Sequence, residues 1–194
     1  MLKQCEHLSL DNLVTGQYTA RGSHPGYLEE PSLENKESTT ETFACAVLKV
    51  HNPRWHGVPF VLKAGKGLTD RKAEVRVQFH AVPGAVSALM GCAGNELVVR
   101  LQPEEAIYWK VMNKVPGLGF QVQQIRMDLL YSSKFHEKKL PEAYERLLLE
   151  VLAGNQGNFV SADELVASWR IFTPALHWLE EKAVKPKPYV FGSR

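Results

Sequence analysis

The chain has 194 residues, 44% of them hydrophobic and 23% charged, with a formal net charge of +2 at pH 7. That length supports one good-sized domain with a core. The near-neutral charge excludes a general nucleic-acid binder, whose affinity rests on a strongly basic face. No apolar run reaches bilayer length, and Met1-Leu2-Lys3-Gln4-Cys5-Glu6-His7 does not read as a signal peptide. Cys5, Cys45 and Cys92 are odd in number and far apart, with no CxxC. They predict inert thiols in a reducing compartment, with no disulfide framework, zinc site or other metal centre.

Residues 1–40 show little periodicity. They read as an irregular entry segment, with Gly16-Gln17-Tyr18 a short strand end and residues 21–38 a surface loop. The apolar run Phe43, Ala44, Cys45, Ala46, Val47, Leu48 and Val50 predicts a buried strand from about residue 42. After the turn Asn52-Pro53-Arg54-Trp55-His56-Gly57, residues 58–63 return as a second strand. Residues 74–82 make a third, and 83–95 read as a loop with one helical turn. Residues 95–102, 106–113 and 125–131 complete six strands, with Pro103-Glu104-Glu105 turning a hairpin.

Two helices follow. Pro141 is a good first helical residue, and Tyr144, Leu147, Leu148, Val151 and Leu152 form a helical stripe up to a stop at Gly154. Ser161 with Glu164 is a capping box. Behind it, Leu165, Trp169, Phe172, Leu176 and Leu179 make a second stripe, with a kink expected at Pro174. Both stripes are predicted to face the core. The end, from Lys185-Pro186 onward, is extended.

Basic residues cluster where chemistry is expected. Lys63, Lys66, Arg71, Lys72 and Arg76 fall within fourteen positions divided by a Gly65-Lys66-Gly67 turn. Two readings are open: a solvated basic turn, or a cradle in which several cations approach one phosphorylated molecule. Strand parity adds to this. Arg76 with Gln78, Arg100 with Gln102, Tyr108 with Lys110, and Arg126 with Asp128 each share one strand face. Such a face is either the wet side of an antiparallel sheet or an anion site, with Arg for phosphate, Tyr for stacking and Asp as an acceptor. No G-x-G-x-x-G, P-loop or G-x-S-x-G motif occurs, and His51 and His56 lack a ligand constellation. The residues alone therefore predict an α+β domain, rich in sheet, with one anion-binding face.

A family resemblance sharpens this. The stretches Arg54-Trp55-His56-Gly57-Val58-Pro59-Phe60, Arg71-Lys72-Ala73-Glu74-Val75-Arg76, Asn95-Glu96-Leu97-Val98-Val99-Arg100 and Leu140-Pro141-Glu142-Ala143-Tyr144-Glu145-Arg146-Leu147 carry it, together with Trp169-Arg170-Ile171-Phe172-Thr173-Pro174 and Gly192-Ser193-Arg194. The chain resembles the C-terminal half of glucose-6-phosphate dehydrogenase over essentially its whole length. The resemblance implies a cytoplasmic oxidoreductase of the pentose phosphate pathway that converts glucose 6-phosphate and NADP+ to 6-phosphogluconolactone and NADPH. It implies a large, mainly antiparallel sheet with flanking helices over residues 41–194, and a dimer or tetramer built through that sheet. Lys66 and Arg71, with Gln102 nearby, would contact the sugar phosphate. A structural NADP site would use Lys63, Lys72, Arg76, Arg100, Tyr108, Lys110, Asp128 and Arg194.

There are departures. The family usually has Arg at the position of Lys63, and lysine keeps the charge without the planar fork. The Rossmann coenzyme domain, the R-I-D-H-Y-L-G-K segment and the catalytic His are not in the sequence, so no catalytic residue is assigned in this chain. The expectation is a fragment cut at both ends. The alternative is a stand-alone, non-catalytic NADP-binding or dimerisation module derived from that enzyme.

Overall fold

The computed structural model describes residues 1–80, 94–134 and 142–193. It is an α+β fold with two four-stranded, mainly antiparallel sheets. The expected strands are thus divided between two sheets. The chain separates into two compact units, Met1–Asp70 with Arg146–Arg194, and Arg71–Glu145.

In the first unit, β1 (Leu13–Thr19), β2 (Phe43–Lys49), β3 (Pro59–Gly65) and β8 (Lys187–Val190) form a sheet of order β3-β2-β1-β8. The opening forty residues are therefore not wholly irregular. They supply β1, which pairs antiparallel with β2 and parallel with β8. Gly16 obscured this strand in the sequence, but the sheet requires it: a Cβ there would lie 3.0 Å from the Tyr189 ring. The end of the chain is extended as expected, and its pairing with β1 is an addition.

The core of this unit gathers Cys5, Leu8, Ala46, Leu48, Val50, Ile171 and Ala175. The helix that closes it is α3 (Ala162–Glu181), which begins with the expected capping box. The Ser161 hydroxyl accepts from the Glu164 N–H, and the Glu164 carboxylate accepts from the Ser161 N–H. The Ser161 N–H and the Ser161 hydroxyl, both donating to the Glu164 carboxylate, hold it below its ordinary value. Pro174 lies inside the continuous helix.

The predicted core stripe of α3 is corrected in part: Phe172 packs against the core as expected, but the fully buried face lies elsewhere. Its buried residues are Ala167, Ile171 and Ala175, while Leu165 and Trp169 are 52% and 57% exposed. Residues four apart share a helix face, and the two alanines let the backbone approach the sheet around Ile171. The stripe of α2 (Ala143–Leu152) is corrected likewise, since Tyr144, Leu148, Val151 and Leu152 are all exposed. Gly154 ends that helix with φ +71, as a left-handed stop requires. The expected helical turn in 83–95 and the helix start at Pro141 fall on residues outside those described, except for 94 and 95.

In the second unit, β4 (Ala73–Gln78), β5 (Glu96–Gln102), β6 (Ala106–Lys114) and β7 (Val122–Leu130) form an antiparallel sheet in chain order. The last strand starts three residues earlier than predicted, because the Val115 N–H donates to the Gln121 carbonyl and lengthens the hairpin. A four-residue helix, α1 (Tyr131–Lys134), follows. Among the described residues, the sheet's own core gathers Val98, Ala106 and Tyr108, with Leu130 packed on it.

Candidate functional site

Register decides which side chains of the second sheet meet. Glu74 faces Arg100, Arg76 faces Val98, and Glu96 faces Lys110. Tyr108 lies between Val98 and Asp128, and Lys110 pairs with Arg126. Directly opposed residues point to one side of a sheet. One face therefore carries Arg76, Arg100, Tyr108, Lys110, Arg126 and Asp128 together, as the parity of the strands predicts.

The face is an ordered charge lattice. The Glu96 carboxylate takes Arg76 Nη1 at 3.2 Å and Lys110 Nζ at 2.9 Å on its two oxygens. Glu74 takes Arg76 Nη2 at 2.7 Å, with Lys72 Nζ at 3.7 Å. Arg100 Nε donates to the Glu104 carbonyl at 3.0 Å. Arg126 lies over the Tyr108 ring, 3.9 Å from its centroid, with one nitrogen 3.4 Å from Asp128.

Burial acts to raise the Glu96 carboxyl, but the Lys110 hydrogen bond and the charges of Arg76 and Lys110 outweigh it and hold the group below its ordinary 4.5. Burial acts to lower Arg76, and the Glu74 and Glu96 contacts outweigh it and raise the guanidinium further.

A phosphorylated nucleotide fits this donor set. Arg76 and Arg100 offer planar forks for phosphate, Lys110 and Lys72 add point charges, and the Arg126 guanidinium covers the buried Tyr108 ring. Phosphate oxygens would take over donors now held by Glu74, Glu96 and Glu104. Glu74 and Glu96 were not singled out as site residues from the sequence, although they share the parity of Arg76 and Arg100. Alternation reveals them once carboxylates are counted as holders of cations as well as ligand acceptors.

The remaining candidates are distributed. Lys63, on β3 in the first unit, lies over the Phe43 ring at 5.7 Å. Lys66, also in the first unit, follows β3 in an exposed turn. Arg71 and Gln102 belong to the second unit, Gln102 closing β5 opposite Ala73. Arg194 lies outside the described residues, as does Cys92. Cys5 and Cys45 are free thiols. His51 is an exposed surface histidine whose ring hydrogen-bonds Glu6. Among the described residues, no helix is long and apolar enough to cross a membrane.

Comparison with known proteins follows the same lines. Residues 1–194 match the family described as glucose-6-phosphate dehydrogenase, C-terminal domain. The chain is 46% identical over 200 residues to glucose-6-phosphate 1-dehydrogenase of Drosophila melanogaster, aligning all of this chain with 38% of that protein. It is 50% identical over 199 residues to the Takifugu rubripes protein of the same name, again in full, against 37% of the relative. A solved structure described as glucose-6-phosphate dehydrogenase in complex with its substrate glucose-6-phosphate superposes with a TM-score of 0.90 at 41% identity, covering 100% of this chain and 40% of that one. The Mycobacterium avium glucose-6-phosphate 1-dehydrogenase gives 0.77 at 29% identity, covering 99% and 38%. The chain thus spans well under half the length of these relatives. It belongs to the glucose-6-phosphate dehydrogenase family, a family of oxidoreductases, and matches its C-terminal domain.

Proposed function

We propose that this domain serves an NADP-dependent glucose-6-phosphate dehydrogenase, which converts glucose 6-phosphate to 6-phosphogluconolactone in the pentose phosphate pathway. Its parts in that enzyme are three: contact with the sugar phosphate, a structural NADP site, and a dimer interface. The observation that carries the reading is the charge lattice around Tyr108, with Arg76, Arg100, Lys110 and Arg126 on one sheet face.

Arg76, Arg100, Tyr108, Lys110 and Asp128 hold the nucleotide, with Lys72 beside them; a part in NADP binding for Lys63 and Arg194 rests on the family resemblance alone. Bound there, the nucleotide supplies anionic charge and a stacking surface. The residues do the rest: the guanidinium forks orient phosphate, Tyr108 supports a ring, and Asp128 accepts from hydroxyl or amide groups. On the family resemblance, Lys66 and Arg71 each contact the sugar phosphate, with Gln102 nearby, and a relative solved with glucose 6-phosphate agrees with that substrate. Free thiols at Cys5 and Cys45 suit the cytoplasm.

The opposite face of the second sheet presents Val75, Val77, Leu101, Trp109, Met127 and Leu129 to solvent. A contiguous apolar sheet face of this kind suits a second copy of the chain, giving a dimer and, through dimers, a tetramer.

The test is Arg100→Ala. Losing one charge-assisted phosphate contact weakens NADP+ binding by roughly 1.5–3 kcal/mol in calorimetry. An unchanged affinity removes Arg100 from the site.

A further inference from the structure

The backbone of Lys66 is held at both ends by residues remote in sequence. Its N–H donates to the Thr42 carbonyl at 2.8 Å. Its carbonyl accepts from the Tyr189 hydroxyl at 2.7 Å. Tyr189 has one proton to give, and a second acceptor, the Thr42 carbonyl, lies farther off at 3.3 Å. The Thr42 hydroxyl, 2.9 Å from the Tyr189 oxygen, already accepts from the Tyr18 N–H at 3.0 Å. The proton order that satisfies every group runs from Tyr18 N–H to the Thr42 hydroxyl, to the Tyr189 hydroxyl, and to the Lys66 carbonyl.

The next residues are tied to the same segment. The Gly192 N–H donates to the Gly67 carbonyl at 2.6 Å, and the Thr69 N–H to the Ser193 carbonyl at 3.1 Å. The Thr69 hydroxyl donates to the Gly192 carbonyl, also at 3.1 Å. Gly67 has φ +59, and a Cβ there would meet the Phe191 ring at 2.8 Å, so only glycine fits. The Tyr189 ring is itself fixed, edge to face against Phe43 and Tyr18 with centroids 5.8 and 6.4 Å away.

We infer that Tyr189 is a positioning residue: through its hydroxyl, the terminal strand sets the peptide from which the Lys66 ammonium reaches for the sugar phosphate. Five bonds, four of them to the terminal segment, converge on the turn of Lys66, Gly67 and Thr69, while its lysine side chain extends from an exposed position. An anion contact depends on a fixed origin for a long, flexible side chain. The inference rests on the reading that Lys66 contacts the phosphate, and the experiment separates the two.

Tyr189→Phe keeps the ring and removes only the hydroxyl. Amide hydrogen exchange and titration with glucose 6-phosphate are measured on the whole chain. Exchange at Lys66 is expected to quicken about tenfold while the β2 amides of Ala46 and Leu48 keep their protection. Affinity for glucose 6-phosphate is expected to fall about three- to tenfold, the scale of one hydrogen bond. Wild-type exchange at Lys66, or wild-type affinity, overturns the inference. Equal loss of protection at Ala46 and Leu48 also overturns it, because the hydroxyl would then support the whole sheet. Lys66→Ala is run in parallel. If it binds glucose 6-phosphate as the wild type does, the phosphate reading of Lys66 fails, and with it the role assigned to Tyr189. If Tyr189→Phe does not fold, Thr69→Ala, which cuts the tie to Gly192, is held to the same two readouts.

Discussion

Glu96 holds two cations with one carboxylate, and its chemistry sets how the polar face behaves with pH. Its neighbours Arg76 and Lys110 keep it below the ordinary 4.5 in the folded chain. A depressed folded value means the folded state favours the ionised form. The stabilisation is therefore fully present above the unfolded value and is lost as pH falls through the lowered folded one. Partial exposure of Arg76 screens the pair, so its worth at neutral pH is about 1 kcal/mol. Glu96→Gln should be less stable than the wild type by about that much above pH 5. The gap should close as pH falls below 4.5, and denaturant midpoints across pH 3–7 measure it. A gap of the same size at every pH would show that the carboxylate's charge is not what stabilises the face. The residue scale was legible only in part. Alternation placed Arg76, Arg100, Tyr108, Lys110 and Asp128 on one side, because side-chain period in a strand is two and pairing kept register from Glu74 onward. Which donor each carboxylate would take depends on cross-strand distances, and those are absent from a linear pattern.

At the level of elements, α3 separates what periodicity reveals from what it conceals. The capping box of Ser161 and Glu164 is local, three residues apart, and it forms as read. The stripe of large residues is also local, but burial depends on what lies opposite. The face that meets β2 and the N-terminal residues carries Ala167, Ile171 and Ala175, and Ile171 is 1% exposed. The larger Leu165 and Trp169 lie outside that contact. Ile171→Ala should cost about 2–5 kcal/mol in unfolding free energy, as deletion of a buried side chain leaves a cavity. Leu165→Ala should cost well under half of that in the same chain. Equal losses from the two in urea unfolding would restore the stripe as the core face. The pairing of β1 with β8 was hidden for the same reason. It joins residues 16–19 to residues 187–190, and no local signal reports a contact across that separation.

For the whole molecule, two sheets present two different chemistries. The first carries the Lys66 turn, held by the end of the chain. The second has a cationic face ordered by Glu74 and Glu96, and an apolar face with Met127 at 60% exposure and Phe79 stacked on Trp109 at 5.4 Å. A sheet charged on one side and apolar on the other suits a nucleotide on the first and another protein surface on the second. Family membership was legible because long motifs occur in one order along the whole chain. The nucleotide site is the more demanding claim, since Arg76, Arg100, Lys110 and Arg126 each already have a carboxylate or carbonyl for company. The measurement that tests it most directly is calorimetric titration of the chain with NADP+ and, separately, with NAD+. We predict one NADP+ per chain, at least tenfold tighter than NAD+, because the extra phosphate adds charge-assisted bonds worth about 1.5–3 kcal/mol. Equal affinities, or no binding of either, would contradict the account.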